Sequence, residues 1–328
     1  EDSFAAIAFL GGREEIDASK NITASNILTN SGEVFSKTYA VATDGKSAFR
    51  LQNYGLLYGR LSFQSDGAAQ NAVVNKSGAK MFIADSELGT NGDTSFLNQG
   101  TLKPGWKDDI RTVTIQSAGT FTQDDTGVML FDADPSASTT SGKLILDFDK
   151  GGAIGGVLGA NWISQTALKQ GDSGSLDVLK LTAASGNSFD TSGLGVSTGG
   201  TVAYTLNPND DGSEIGLNYT VDYTGQSTGS MQNQNVRSFG RYFARAIDAI
   251  DQYNGTSDAD VLTQLSLKAL NARSSDELAT IYGQHILDEA SSGVAGAFNA
   301  GHALHGLLQS CPTLDPKDPG GFYRQQEC

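Results

Sequence analysis

The sequence predicts a mainly β chain: a right-handed parallel β-helix of about 22–23 residues per rung, capped by a hairpin-rich β region and followed by an α-helical segment. Three observations carry this expectation. Four stretches of the first hundred residues, "ILTNSGEVF", "RLQNYGLLY", "VVNKSGAKMF" and "FLNQGTLKPG", repeat one pattern at a steady period. Forty glycines and a hydrophobic content of only 38% suit many turns around a thin core. Beyond about Met231 the alternation of strands gives way to helical spacing.

In each repeat an apolar run leads to an asparagine, then a glycine, then a second mostly apolar run. The asparagines are Asn30, Asn53, Asn75 and Asn98, spaced by 23, 22 and 23 residues, and the glycines are Gly32, Gly55, Gly78 and Gly100. One such unit supplies two or three short strands, too few to bury a face alone. Stacking the copies pairs every strand with its equivalent about 4.8 Å above and below. Asparagine tolerates a left-handed corner and glycine adopts one at no steric cost. Stacked asparagines also hydrogen-bond to one another. A sandwich of Asn-Gly hairpins instead recurs every 8–12 residues and needs no constant longer period.

From Thr112 the repeat fades and plain strands follow: "TVTIQS", "KLILDFD", "TVAYTL" and "IGLNYTVDY". The last places Ile215, Leu217, Tyr219, Val221 and Tyr223 on one side. "NPNDDGSE" before it reads as a hairpin turn. It puts Asn207, Asn209, Asp211 and Gly212 at EF-hand offsets, but Asn218 stands where a bidentate Glu belongs. "GGAIGGVLGA" (151–160) lacks the Lys-Ser/Thr pair of a phosphate loop and reads as close strand packing.

Helical spacing then puts Val236, Phe243, Ile247 and Ile250 on one face, and Leu262, Leu265 and Leu270 on another. Ser274 and Glu277 stand at capping-box spacing, and a fourth helix, rich in small residues, ends near 310. The expected organisation is β-helix rungs over 1–110, a β cap over 111–230, a helical region over 231–310 and a Cys-bounded loop over 311–328. His302 and His305 share a helical face without neighbouring carboxylates, which reads as packed or surface histidines, not a metal site.

The two cysteines, Cys311 and Cys328, bracket "PTLDPKDPGGFYRQQE". Closing that loop by a disulfide stabilises by about 3 kcal/mol in the chain-entropy model. Two free thiols or half a metal site are the alternatives; no His lies in the loop and the spacing does not suit a zinc ribbon. A disulfide implies an oxidising compartment. The formal charge of −15 argues against nucleic acid or anionic lipid as a partner, and no apolar run is long enough to span a membrane as a helix. The opening Glu1-Asp2-Ser3 reads as a mature chain or an excised piece.

"GDSG" (171–174) carries the letters that surround a trypsin-like nucleophile. Ser173 precedes all three histidines, His285, His302 and His305, which reverses the His-Asp-Ser order of that arrangement. A turn leading into the strand that follows accounts for it. Paired carboxylates in probable turns, Asp108/Asp109 and Asp124/Asp125, are candidates for a polysaccharide-degrading β-helical enzyme, yet no carboxylate cluster recurs at the repeat period.

In order, the Asn-x-Gly rungs, "FLNQGTLKPG" with "GTFTQDDTG", the strands ending "LNYTVDYTG", and "QNQNVRSFGRYFARAID" with its helical tail resemble the C-terminal passenger stem and linker of a bacterial autotransporter. The resemblance spans about 25–328. It implies a non-catalytic, surface-displayed or secreted stem that supports folding and export, with an adhesive role. Its implied partners are the protein's own outer-membrane β-barrel, absent from this chain, and ligands on host or bacterial surfaces. It implies no cofactor, no metal and no catalytic residue here, and a Cys311–Cys328 loop just before the first barrel strand. A β-helical enzyme, or a stem whose catalytic domain precedes residue 1, is the alternative.

Overall fold

A computed structural model of the protein describes residues 6–9, 26–44, 48–64, 71–89, 94–164, 166–225, 234–253 and 256–291. Strand content is 47% and helix content 16%, so the fold is mainly β. The chain divides into two compact units.

The first unit comprises 1–163, 175–197 and 204–218. Its strands form two sheets. The narrower one stacks Asn26–Asn30, Phe49–Asn53, Ala72–Asn75, Ser95–Asn98, Thr120–Gln123, Gly152–Ile154 and Phe189–Asp190 in sequence order, every pair parallel. The wider sheet is nearly closed. It carries the partner strand of each rung: Glu33–Thr43, Leu56–Phe63, Lys80–Ile83, Thr101–Pro104, Val128–Ala133, Val157–Trp162 and Gly195–Val196. Each rung thus passes from the narrower sheet around a corner into the wider one. Leu56–Phe63 is long enough to pair with both Lys80–Ile83 and Ser86–Glu87, so the wider sheet continues into Thr112–Ser117, Lys143–Phe148 and Ser173–Thr182.

Constant register turns the alternation of each strand into columns. Leu57, Met81, Leu102, Met129 and Leu158 are successive partners, each 0% exposed. Phe96, Phe121 and Phe148 stack beside them, with centroids 5.1 and 5.5 Å apart. Such a core is thin but continuous, because each rung covers the apolar side chains of its neighbours.

The stretch from 111 onward departs from expectation. It is not hairpin-rich: parallel pairing runs on to Gly195–Val196. The period is lost because the connections lengthen. Residues 105–111, 134–142 and 163–172 are inserted between strands that keep their partners. Among the described residues Ala133 and Ser141 form an antiparallel bridge, and Val202–Pro208 forms a hairpin with Glu214–Val221. Its turn closes through Asn209 N–H to the Glu214 carbonyl (2.9 Å) and Glu214 N–H to Asn209 Oδ1 (3.0 Å), with Gly212 at φ 70°. The EF-hand-like residues are consumed by that turn: Asp211 Oδ1 accepts Ser213 N–H at 2.8 Å.

Glycines 151–159 sit where strands nearly touch. A Cβ on Gly152 meets the Phe121 carbonyl oxygen at 1.7 Å, and one on Gly156 meets that of Gly127 at 2.2 Å. No L side chain fits such spacing.

The second unit gathers 164–174, 198–203 and the chain from 219. Its helices are α1 (Gln234–Asp248), α2 (Ser257–Leu270) and α3 (Ser275–Ser291). The faces read from sequence are the buried ones: Phe243, Ile247 and Ile250, then Leu262, Leu265 and Leu270. Val236 lies in α1, with its side chain outside the described residues. Thr256 caps α2, and Ser274 Oγ accepts Glu277 N–H (3.1 Å) while Glu277 accepts Arg273 N–H (2.8 Å). Tyr223 is the pivot. Its hydroxyl donates to the Leu168 carbonyl (2.8 Å) and bonds to Ser266 Oγ (3.0 Å). Its carbonyl accepts the Tyr282 hydroxyl (3.1 Å), and its ring meets Phe243 edge-on at 5.2 Å. Gly240 lets α1 approach: a Cβ there lies 2.6 Å from the Tyr223 carbonyl oxygen. The small-residue segment and the Cys311–Cys328 loop lie outside the described residues.

Burial pushes the Tyr223 and Tyr282 phenols above the ordinary tyrosine range. Their folded values exceed the unfolded ones, so their contribution to stability is intact below about pH 10 and is lost as pH rises above it. The part of the 295 nm phenolate absorbance that Tyr223→Phe and Tyr282→Phe remove should therefore appear with the loss of helical dichroism, not before it. Full ionisation of the buried phenols in a still-folded chain contradicts this packing.

Candidate functional site

Asn30, Asn53, Asn75 and Asn98 occupy the last position of four successive strands of the narrower sheet and are register partners. Because rungs stack in parallel at about 4.8 Å, the four amides point inward one above another. Asn30 Nδ2 donates to Asn53 Oδ1, Asn53 to Asn75 and Asn75 to Asn98, each at 2.8 Å. Asn98 donates to Gln123 Oε1 at 2.7 Å, and Gln123 Nε2 ends the chain on the Gly155 carbonyl at 2.8 Å. The second donor of Asn30, Asn53 and Asn75 reaches a carbonyl of the next rung, that of Leu56, Lys80 or Thr101. Asn30 and Asn53 also receive the N–H of Gly32 and Gly55. These amides are 0–6% exposed, and burial on that scale is tolerable only because each nitrogen and oxygen is engaged, with both hydrogens used in Asn30, Asn53 and Asn75.

The glycines serve the ladder differently from the expected left-handed corner. Only Gly78 of the four has positive φ, at 80°. Gly55 and Gly100 are demanded by proximity: a Cβ on Gly55 lies 2.1 Å from the Gly32 carbonyl oxygen, and one on Gly100 lies 2.4 Å from that of Lys76. A Cβ on Gly32, in the first described Asn-Gly corner, meets nothing within 4 Å.

A second array, on the outer side of the wider sheet, has no counterpart in the sequence reading. Phe35, Tyr58 and Phe82 are register partners in consecutive rungs. Trp106, from the 105–111 connection, packs over them with centroids 4.9, 4.4 and 5.6 Å away. Beneath that connection lie Lys103, 3% exposed, and Asp132, 0% exposed, as an ion pair. Lys103 Nζ also donates to the Trp106 carbonyl (2.8 Å) and lies 5.4 Å from the centre of the Phe82 ring. Asp132 accepts Lys103 Nζ and Asp109 N–H (2.9 Å) on Oδ2, and Asn161 Nδ2 (2.6 Å) on Oδ1. Three consecutive rungs thus hold one loop by a desolvated charge pair, which is stable only because its polar atoms are met.

The remaining candidates are placed apart. Ser173 opens a strand and is exposed; Gly171 turns at φ 81°, and Asp172 accepts Lys169 N–H at 2.7 Å. Asp109 pairs with Arg111 at 2.5 Å. Burial alone raises the Asp124 carboxyl, but donors from Thr126 and Gln99 outweigh it and hold the group below its ordinary range. These carboxylates are turn elements. His302, His305, Cys311, Cys328 and the side chain of His285 lie outside the described residues. Among the described residues no group of three or more His, Cys, Asp or Glu is placed to hold a metal, and no helix is long and apolar enough to cross a membrane.

Replacing Asn75 by Leu strands the Asn53 donor, the Asn98 oxygen and the Thr101 carbonyl, each at about 1–3 kcal/mol. Urea unfolding should show a loss of about 3 kcal/mol or more. The loss should be smaller for Asn30→Leu, whose bonds to Leu56 and Gly32 are only part-buried and whose third partner, Asn53 Oδ1, keeps the Gly55 N–H. Equal, near-zero losses at both positions contradict a cooperative ladder.

No family model, no curated protein and no solved structure matches the chain.

Proposed function

We propose that the chain is a non-catalytic stem of a surface-displayed passenger, of the autotransporter kind, and that its stacked rungs form a right-handed parallel β-helix. Its work is mechanical: it folds by adding rungs outside the cell and carries whatever lies beyond its first rung away from the surface. Contact with host or bacterial surfaces is the natural use of such a stem.

The observation that carries this reading is the inter-rung amide ladder, which binds each rung to the next. Among the described residues Asn26–Asn30 is the last strand of the narrower sheet and pairs with Phe49–Asn53, while the Glu33–Thr43 strand of the same rung is already joined by Ile7–Phe9. Bonding of Asn26 N–H and the Asn30 carbonyl toward that neighbour directs the peptide groups of Ile27 and Thr29 outward. Ile27 and Phe35, on this same rung, are 55% and 50% exposed. A parallel strand edge is a template for the next strand, as Ile7–Phe9 on Glu33–Thr43 illustrates. Arrays of this kind fold by nucleation and propagation, which suits a chain that emerges unfolded and end first.

The test fuses the chain between a signal peptide and a type V outer-membrane barrel. Intact cells should then display it: external protease should yield a resistant fragment spanning the rungs, and deletion of 202–221 should abolish that resistance. A chain that stays periplasmic, or reaches the surface without acquiring resistance, overturns the proposal.

A further inference from the structure

We propose that Lys103 and Asp132 become joined by an intramolecular amide bond between Lys103 Nζ and Asp132 Cγ, a covalent staple between consecutive rungs. Four features of the pair point to reaction as well as attraction. Nζ lies against Oδ2, one bond from the electrophilic Cγ, so the proton to be moved and the two reacting groups are already neighbours. Both side chains are shut from solvent, at 4% and 0% exposure, so water released there is not replaced. The Trp106 carbonyl holds one Nζ hydrogen and the Phe82 ring flanks the nitrogen, which fixes its direction. Asn161 Nδ2 sits 2.6 Å from Oδ1, where a tetrahedral intermediate places its negative charge.

The step balances without a co-reactant. A proton passes from Nζ to Oδ2 across the contact, leaving an amine and a carboxylic acid. The Nζ lone pair adds to Cγ, and the carbonyl π pair moves onto Oδ1, held by Asn161. A second proton passes from Nζ to the Oδ2 hydroxyl. The Oδ1 pair re-forms the carbonyl, the Cγ–Oδ2 bond breaks, and one water departs. Proximity supplies most of the rate, since both groups are positioned before reaction. Lys103 is the nucleophile, Asp132 the electrophile, and Asn161 a stabiliser of the intermediate.

Intact-mass spectrometry of the reduced, denatured full-length chain tests this. Loss of one water predicts a mass about 18 Da below that of the sequence, from the atom balance of amide formation, and Lys103→Met should restore the full value for its own sequence. Trypsin should release residues 81–107 and 112–143 as one branched species. The full unmodified mass overturns the proposal. So does a deficit of about 17 Da, since loss of ammonia assigns the bond to Asn161 instead.

Discussion

The fold rests on parallel backbone pairing between equivalent positions of successive rungs, which repeats every contact at about 4.8 Å along the stack. That spacing selects its side chains. A primary amide donates on one side and accepts on the other, so identical asparagines propagate a hydrogen-bonded column through a dry interior. The same spacing brings corner backbones together, which is why Gly55 and Gly100 leave no room for a Cβ. Apolar columns such as Leu57 to Leu158 follow from the same register.

Strand pairing also explains where variety is admitted. A rung keeps its place if its strands keep their partners, whatever length joins them. Loop-closure cost grows slowly with length, so 105–111, 134–142 and 163–172 are tolerated. Polar chemistry that the thin core has no room for gathers under those connections. The Lys103–Asp132 pair is the strongest instance: its charges lie under the 105–111 connection, where loop and strands together exclude water from them.

What the sequence disclosed follows the same division. The columns near the start were legible because Asn30 to Asn98 recur at a spacing of 22 or 23 residues. The helices were legible from Phe243, Ile247, Leu262 and Leu265 at helical spacing, since burial there depends on one face alone. Rungs past 111 were hidden: pairing partners such as Ile115 and Leu146 stand 31 residues apart, and Leu146 and Leu181 stand 35 apart, so no period survives. Lys103, Asp132 and Asn161 carry no local signal at all. Their meeting depends on register across three rungs, which no pattern within one strand encodes. Gln123 offered a faint signal, a primary amide 25 residues after Asn98 in "FTQDDTG".

Gln123 also marks a change in how the stack is held. Three residues separate it from Gly127, where one separates Asn98 from Gly100, so the corner is wider and the longer side chain spans it. A Cβ on Gly127 lies 2.5 Å from Gln123 Cγ and 2.7 Å from the Asn98 carbonyl oxygen, so the wide corner is as tightly closed as the narrow ones. Past it the amide column stops at the Gly155 carbonyl. Larger side chains take over: Phe121 packs on Phe148, and buried Trp162 donates Nε1–H to the Tyr204 hydroxyl at 2.8 Å. The regular half is therefore specified by a polar column that tolerates no slip in register, because a one-residue shift carries the amides out of the column. The irregular half has no such column and is specified by apolar packing, of a kind the regular half also has in Phe49 on Phe63 and Phe96 on Phe121. One architecture is maintained by two kinds of interior, and the transition falls where the connections begin to lengthen.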